Sequence, residues 1–234
     1  MKLALLILFI SLQALAELNH ETHDFSFEYG LAYQTLRAEQ KDNGSKGRFT
    51  GDQHPYWIGG YTLKLSENWG LKAFGGISLV HFNEPAFGTV KNEQQSLAQY
   101  GLELIHKTST YSKLSYFYME QDRPLYYAKG PAVYEITKEK FMQGGMHFSL
   151  GQRRRIGLIW GTGLKLFTMF PAHGGDVVTE TGAGVEGYAR LGWVDPFGTL
   201  YQIKGIYQVA SAPNADVNFT HEILGYSFLI SHTF

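Results

Sequence analysis

The chain has 234 residues, with 20 Lys+Arg against 21 Asp+Glu and a formal net charge of −1. A balance this close to neutral gives no electrostatic reason to expect nucleic acid as a partner. Cysteine is absent, so backbone pairing and packing must hold the fold together in any redox compartment. Glycine (27) and Tyr plus Phe (15 and 16) are abundant while mean hydropathy stays slightly negative. That combination suits short strands with one apolar face.

In chain order, the first element reads as a secretory signal peptide over residues 1–16. Lys2 gives the positive end, Leu3 to Ala14 the apolar run, and Ala14-Leu15-Ala16 a small-x-small cleavage site. The run is too short to cross a bilayer as a helix, which takes about 20 residues. The mature chain, 17–234, then reads as one domain without a linker. Its first residues include His20 and His23 beside Glu21 and Asp24, a weak metal-binding pattern that reads better as a solvated terminus. No metal or cofactor is expected.

From Phe25 onward the pattern alternates with a period of two. Large apolar residues take odd positions in Phe25-Ser-Phe27-Glu-Tyr29, around Trp57 to Leu65, and from Leu71 to Leu79. They take even positions from Ala98 to Leu104, Leu114 to Tyr118, Met142 to Leu150 and Leu158 to Leu166. Odd phase returns over Val185 to Trp193 and Tyr201 to Val209, and the last strand carries Leu224, Tyr226, Phe228 and Ile230. The count is ten strands, with eight and twelve as alternatives. Short connections (67–70, 107–110, 151–155, 195–198) alternate with long ones (38–55, 83–96, 122–140, 171–181, 211–219). The fold class is therefore all-β: one up-and-down antiparallel transmembrane β-barrel, short turns on one side and long loops on the other. The outward phase carries no charge at a strand centre, where Lys or Arg costs about 2–4 kcal/mol in lipid. Its charged or titratable members, Arg37, Glu120, Glu222, His106 and His232, fall at predicted rims.

The last segment, with Tyr226, Phe228, Ile230 and Phe234 at every second or fourth position, resembles the C-terminal assembly signal of Gram-negative outer-membrane β-barrel proteins. The resemblance covers the whole mature chain. It implies export through the periplasm, handling by the barrel assembly machinery, a place in the outer membrane, and contact with its lipids and lipopolysaccharide.

The inward phase carries Glu28, Lys64, Lys72, Glu103, Lys113, Lys165, Glu186, Arg190 and Lys204. Turn geometry sets Lys64 near Lys72, with Glu28 able to bridge them, and Arg190 near Lys204; Glu103 and Lys113 are expected diagonal partners. These groups either plug the lumen with ion pairs or line a narrow, anion-leaning passage. His147-Phe-Ser149 resembles the His-x-Ser of barrel lipid A deacylases, but it sits by the periplasmic turn. Asp52-Gln-His54 resembles the Asp-x-His of omptin-like barrel proteases, with only Asp176 and Glu84 as loose second acids. No catalytic site is assigned. In the loop 122–140, Tyr126, Tyr127 and Tyr134 are the expected exposed surface for an extracellular ligand. The reading is a non-enzymatic surface barrel acting through its loops, with a narrow channel as the alternative and a rim hydrolase third.

Overall fold

The computed structural model describes residues 23–42, 44, 46–83, 89–91, 93–130, 133–152, 156–171, 180–213 and 217–233. The signal peptide, His20, Glu84, Asp176 and the terminal Phe234 lie outside them. The elements are β1 (His23–Gln40), β2 (Lys46–Thr50), β3 (His54–Lys64), β4 (Trp69–His81), β5 (Thr89–Lys91), β6 (Gln94–Lys107), β7 (Ser112–Gly130), β8 (Val133–Gly151), β9 (Gly157–Pro171), β10 (Gly182–Val194), β11 (Thr199–Pro213) and β12 (Val217–Thr233).

Ten of these strands form an antiparallel ring in sequence order. β1 closes it against β12 in unbroken register from Asp24↔Thr233 to Gln40↔Val217. Closure removes both sheet edges, so every ladder group finds a partner without water. The two extra strands fall inside long connections expected to be loops. β2 continues the β3 side of β1 at the long-loop end, pairing Thr35–Glu39 while β3 pairs His23–Ala32. β5 adds in parallel to Val133–Glu135 of β8.

Local chemistry explains the turns. At the β10–β11 turn the Asp195 carboxylate accepts from the amides of Phe197 (2.9 Å) and Thr199 (2.8 Å), and Gly198 takes φ 83°. That left-handed conformation favours glycine. At the opposite end β7 and β8 run 19 residues each. About 9–11 residues cross a bilayer, so this hairpin overshoots it by about eight.

Alternation sorts side chains to two faces. The outer face exposes an apolar belt around the ring, including Phe27, Leu102, Tyr118, Leu164, Ile203 and Phe228. The inner face divides by height. Toward the long loops it is an apolar core of Leu36, Phe49, Val80, Phe82, Ile136, Phe141 and Met169, each 0–1 % exposed. Toward the short turns it is polar and charged.

Candidate functional site: a two-storey lumen

The charged storey is built on Tyr188. Its hydroxyl meets His147 Nε2 at 2.9 Å, and His147 Nδ1 donates to Glu103 Oε1 at 2.8 Å. The Lys204 ammonium and the Arg190 guanidinium each lie 5.9 Å from the Tyr188 ring centroid, a cation–π distance. Glu28 accepts from Lys204 Nζ (2.7 Å to Oε1), Ser227 Oγ (2.7 Å) and the Tyr56 hydroxyl (3.1 Å). Lys165 Nζ lies 3.3 Å from Glu186 Oε1.

Several expected pairings are replaced. Lys72 stands opposite Thr62 on one side and Glu103 on the other, so Lys64 is only its diagonal neighbour. Glu28 does not bridge that pair but holds Lys204, 176 residues away. Glu103 opposes Phe117 rather than Lys113, which opposes Lys107 and Ser149. Lys64, at the end of β3, is exposed at the short-turn mouth. Arg190 and Lys204 are direct cross-strand partners.

Neither His-containing three-residue pattern forms a nucleophile–base pair. Both ring nitrogens of His147 are engaged with Glu103 and Tyr188, and Ser149 is buried in the lumen wall. The Asp52 carboxylate meets Asn83 (2.7 Å) and His81 (3.6 Å), not the His54 imidazole. His54 is 3 % exposed and faces inward, contrary to a rim position.

His54 instead ends a cross-lumen chain. Arg123 Nη1 reaches His221 Nδ1 at 3.0 Å, His221 Nε2 reaches Gln34 Oε1 at 2.7 Å, and Gln34 Nε2 reaches His54 Nε2 at 2.9 Å. Arg can only donate, which forces every proton along the chain. His221 must be bare at Nδ1 and protonated at Nε2; Gln34 then accepts on oxygen and donates its amide. His54 is bare at Nε2 and donates from Nδ1 to the Asp52 carbonyl at 3.2 Å.

The β7–β8 extension closes the long-loop mouth. Residues 123–126 are all buried, so both faces of β7 are covered there. Tyr126 crosses to Phe49 on β2 (4.0 Å between centroids) and Phe219 on β12 (5.9 Å), with Tyr134 edge-on at 6.2 Å. Tyr126, expected on an exposed ligand surface, is therefore 7 % exposed and packed inward; Tyr134 packs against the same core. The apolar stretch spends its area on the barrel's own mouth rather than on solvent. A cavity of about 10 Å³ remains beside Arg123, Phe141 and Met169, about enough for one water.

The outward phase alone carries no trace of the apolar core. Its signal was present: the inward positions Phe117, Met119, Phe141, Phe167 and Met169 are all apolar and lie toward the long loops.

A closed ten-stranded ring, an uncharged apolar belt and two unequal sets of connections define an outer-membrane β-barrel. In such barrels the short turns face the periplasm and the long loops the outside. Among solved structures the chain is similar to the outer membrane protease OmpT from Escherichia coli, with TM-score 0.60 and 10 % identity over 92 % of this chain and 97 % of that one. It is also similar to the translocator domain of the autotransporter NalP from Neisseria meningitidis, with TM-score 0.43 and 12 % identity over 95 % and 94 %. At 10 % identity the likeness to OmpT is one of fold. No protein family and no curated protein matches the sequence.

Proposed function

We propose that the protein is a non-enzymatic, non-conducting outer-membrane barrel that acts through its extracellular surface. The observation that carries this is the apolar core across the outer half of the lumen, roofed by the β7–β8 extension. A water-filled pathway needs continuous polar space, and side chains at 0–1 % exposure offer none. The inward, fully bonded His54 and the engaged His147 speak against a hydrolase at either mouth. The outer rim is laced with ion pairs, Arg37–Glu222 at 2.9 Å and Lys140–Glu120 at 3.6 Å. Its lysines and arginines are suited to lipopolysaccharide phosphates, and the loop 122–140 to an extracellular ligand. The outward aromatics Tyr226 and Phe228 of β12 are suited to the assembly machinery.

Planar-bilayer recording of the refolded protein tests the reading. We expect no unitary conductance steps. Steady steps with anion preference would overturn it in favour of a channel.

A further inference from the structure

The outer surface carries a layered pattern of its own where β12, β1 and β2 lie side by side. On the lipid-facing phase the registers stack in rows. Leu31 lies between Tyr226 and Pro55, and Tyr33 sits opposite Leu224 one row higher. Thr35 follows between Glu222 and Thr50, then Arg37 between Thr220 and Arg48, then Glu39 between Asn218 and Lys46. Toward the long loops, apolar and aromatic side chains thus give way to hydroxyls and then to cations. Tyr33 and Leu224 are 46 % and 57 % exposed, and both arginines are exposed as well.

Arg37 and Arg48 are directly opposite on one ladder. Their Cβ atoms are therefore about 5 Å apart and their like charges repel. Both side chains can close on a single anion between them. Arg37 has one counter-charge, Glu222 Oε2 at 2.9 Å from its Nη2, which leaves the other donors of its fork unused. Arg48 makes no hydrogen bond or ion pair among the described residues. Elsewhere on the outer rim cations are matched: Lys140 pairs with Glu120, Lys138 with Asp122 and Lys46 with Glu39. Guanidinium forks grip two phosphate oxygens at once. A phosphomonoester brings about two negative charges to the two arginines, where a phosphodiester brings one.

We infer that this face binds one lipopolysaccharide molecule, with a lipid A phosphate held between Arg37 and Arg48 and the acyl chains laid over Tyr33 and Leu224. The inference rests on the surface role proposed above and narrows it: one strip across β12, β1 and β2, rather than the rim at large, meets the phosphates. Glu222 competes with the phosphate for Arg37.

Titration of the detergent-folded barrel with fluorescently labelled bisphosphorylated lipid A, at fixed detergent, pH and ionic strength, tests the site. The wild type binds saturably. Arg37→Gln and Arg48→Gln each weaken binding about tenfold or more, since a charge-assisted contact is lost. Glu222→Gln tightens it, because the competing carboxylate is gone, and Lys140→Gln on β8 leaves it unchanged. All four side chains lie on the outer rim, so the variants keep folded mobility on unheated gels. Dephosphorylated lipid A does not compete, and phosphatidylglycerol competes only weakly. Absence of binding, equal affinity in both arginine variants and wild type, or a loss in Lys140→Gln as large as theirs overturns the site. Competition by phosphatidylglycerol equal to that of unlabelled lipid A overturns the assignment to lipopolysaccharide. Unitary conductance from a barrel that still binds lipid A would overturn the closed lumen and leave this site standing.

Discussion

Glu28 shows how a single residue holds distant parts of the ring. Its carboxylate gathers Lys204, Ser227 and Tyr56 from β11, β12 and β3. Glu28→Ala leaves Lys204 without its counter-charge and two hydroxyls without an acceptor, a loss of about 3–5 kcal/mol. Urea unfolding in lipid vesicles measures it. Glu28→Leu combined with Lys204→Met recovers most of that loss, because an apolar pair of similar volume avoids the stranded charge. If the double variant falls as far as Glu28→Ala, the loss belongs to packing, not charge. The alternation of the sequence was enough to turn Glu28 and Lys204 inward, since face follows from parity. It did not reveal that they meet. Their contact depends on β11, β12 and β1 being adjacent after closure, and on the stagger of ladders joined only through the whole ring. The register of β4 on β6, joined by a long connection, likewise hid Glu103 as the residue opposite Lys72.

The β7–β8 extension is the element whose role differs most from its sequence reading. From sequence it is the longest loop, 122–140. Nothing local showed that it bends inward, because burial of Tyr126 depends on Phe49 and Phe219, 77 residues before it and 93 after. Gly47 makes the docking permissible: a Cβ there meets the Tyr126 hydroxyl at 2.5 Å. Tyr126→Ala removes the ring that ties the roof to β2 and β12, at a cost of about 3–5 kcal/mol to the closed seat. The barrel below keeps its register. The variant should migrate on unheated gels as a folded barrel, yet lose hydrogen-exchange protection over 123–139. Unchanged protection would show that the roof does not depend on this contact.

Acid acts on the same seat. Burial, then the neighbouring Arg123 charge and His54, hold the His221 pKa well below its ordinary 6.5. His221 lies outside the membrane span, level with the outward, solvated Arg37–Glu222 pair. With the roof undocked, His221 recovers its ordinary value, so the undocked state binds more protons at acid pH. The seat is therefore fully stable above pH 6.5 and weakens as pH falls from there toward the depressed value, by up to about 1.4 kcal/mol per unit. Exchange protection of 123–139, corrected for intrinsic rate, should drop below pH 6 while β10 and β11 hold theirs. His221→Gln should flatten that dependence; a slope that persists in the variant would place the sensor elsewhere.

At the scale of the whole molecule, what the sequence carried best was the global arrangement: ten strands, the parity of each, and the difference between the two sets of connections. These are repeated features, written into every strand by the need to face lipid on one side. The division of the lumen into an apolar outer half and a polar, charged inner half was harder to see. It follows from depth along the barrel, which a period of two does not encode. The lipid-facing belt leads to a test in which two environments give different magnitudes. Leu164, mid-strand on β9, is 45 % exposed. In a water-soluble protein Leu164→Arg at such a site changes stability by no more than about 0.5 kcal/mol. At the lipid face of a membrane barrel the same change costs about 2–4 kcal/mol, because the guanidinium must be drawn from water into hydrocarbon. Urea unfolding of wild type and variant in phospholipid vesicles separates the two values. We expect the larger one, together with a much smaller loss for Leu65→Arg, whose side chain stands in the short β3–β4 turn beside Trp69 where headgroups and water can solvate it. Equal and small losses at both positions would mean that Leu164 faces water, and the apolar belt would then need another partner than the bilayer.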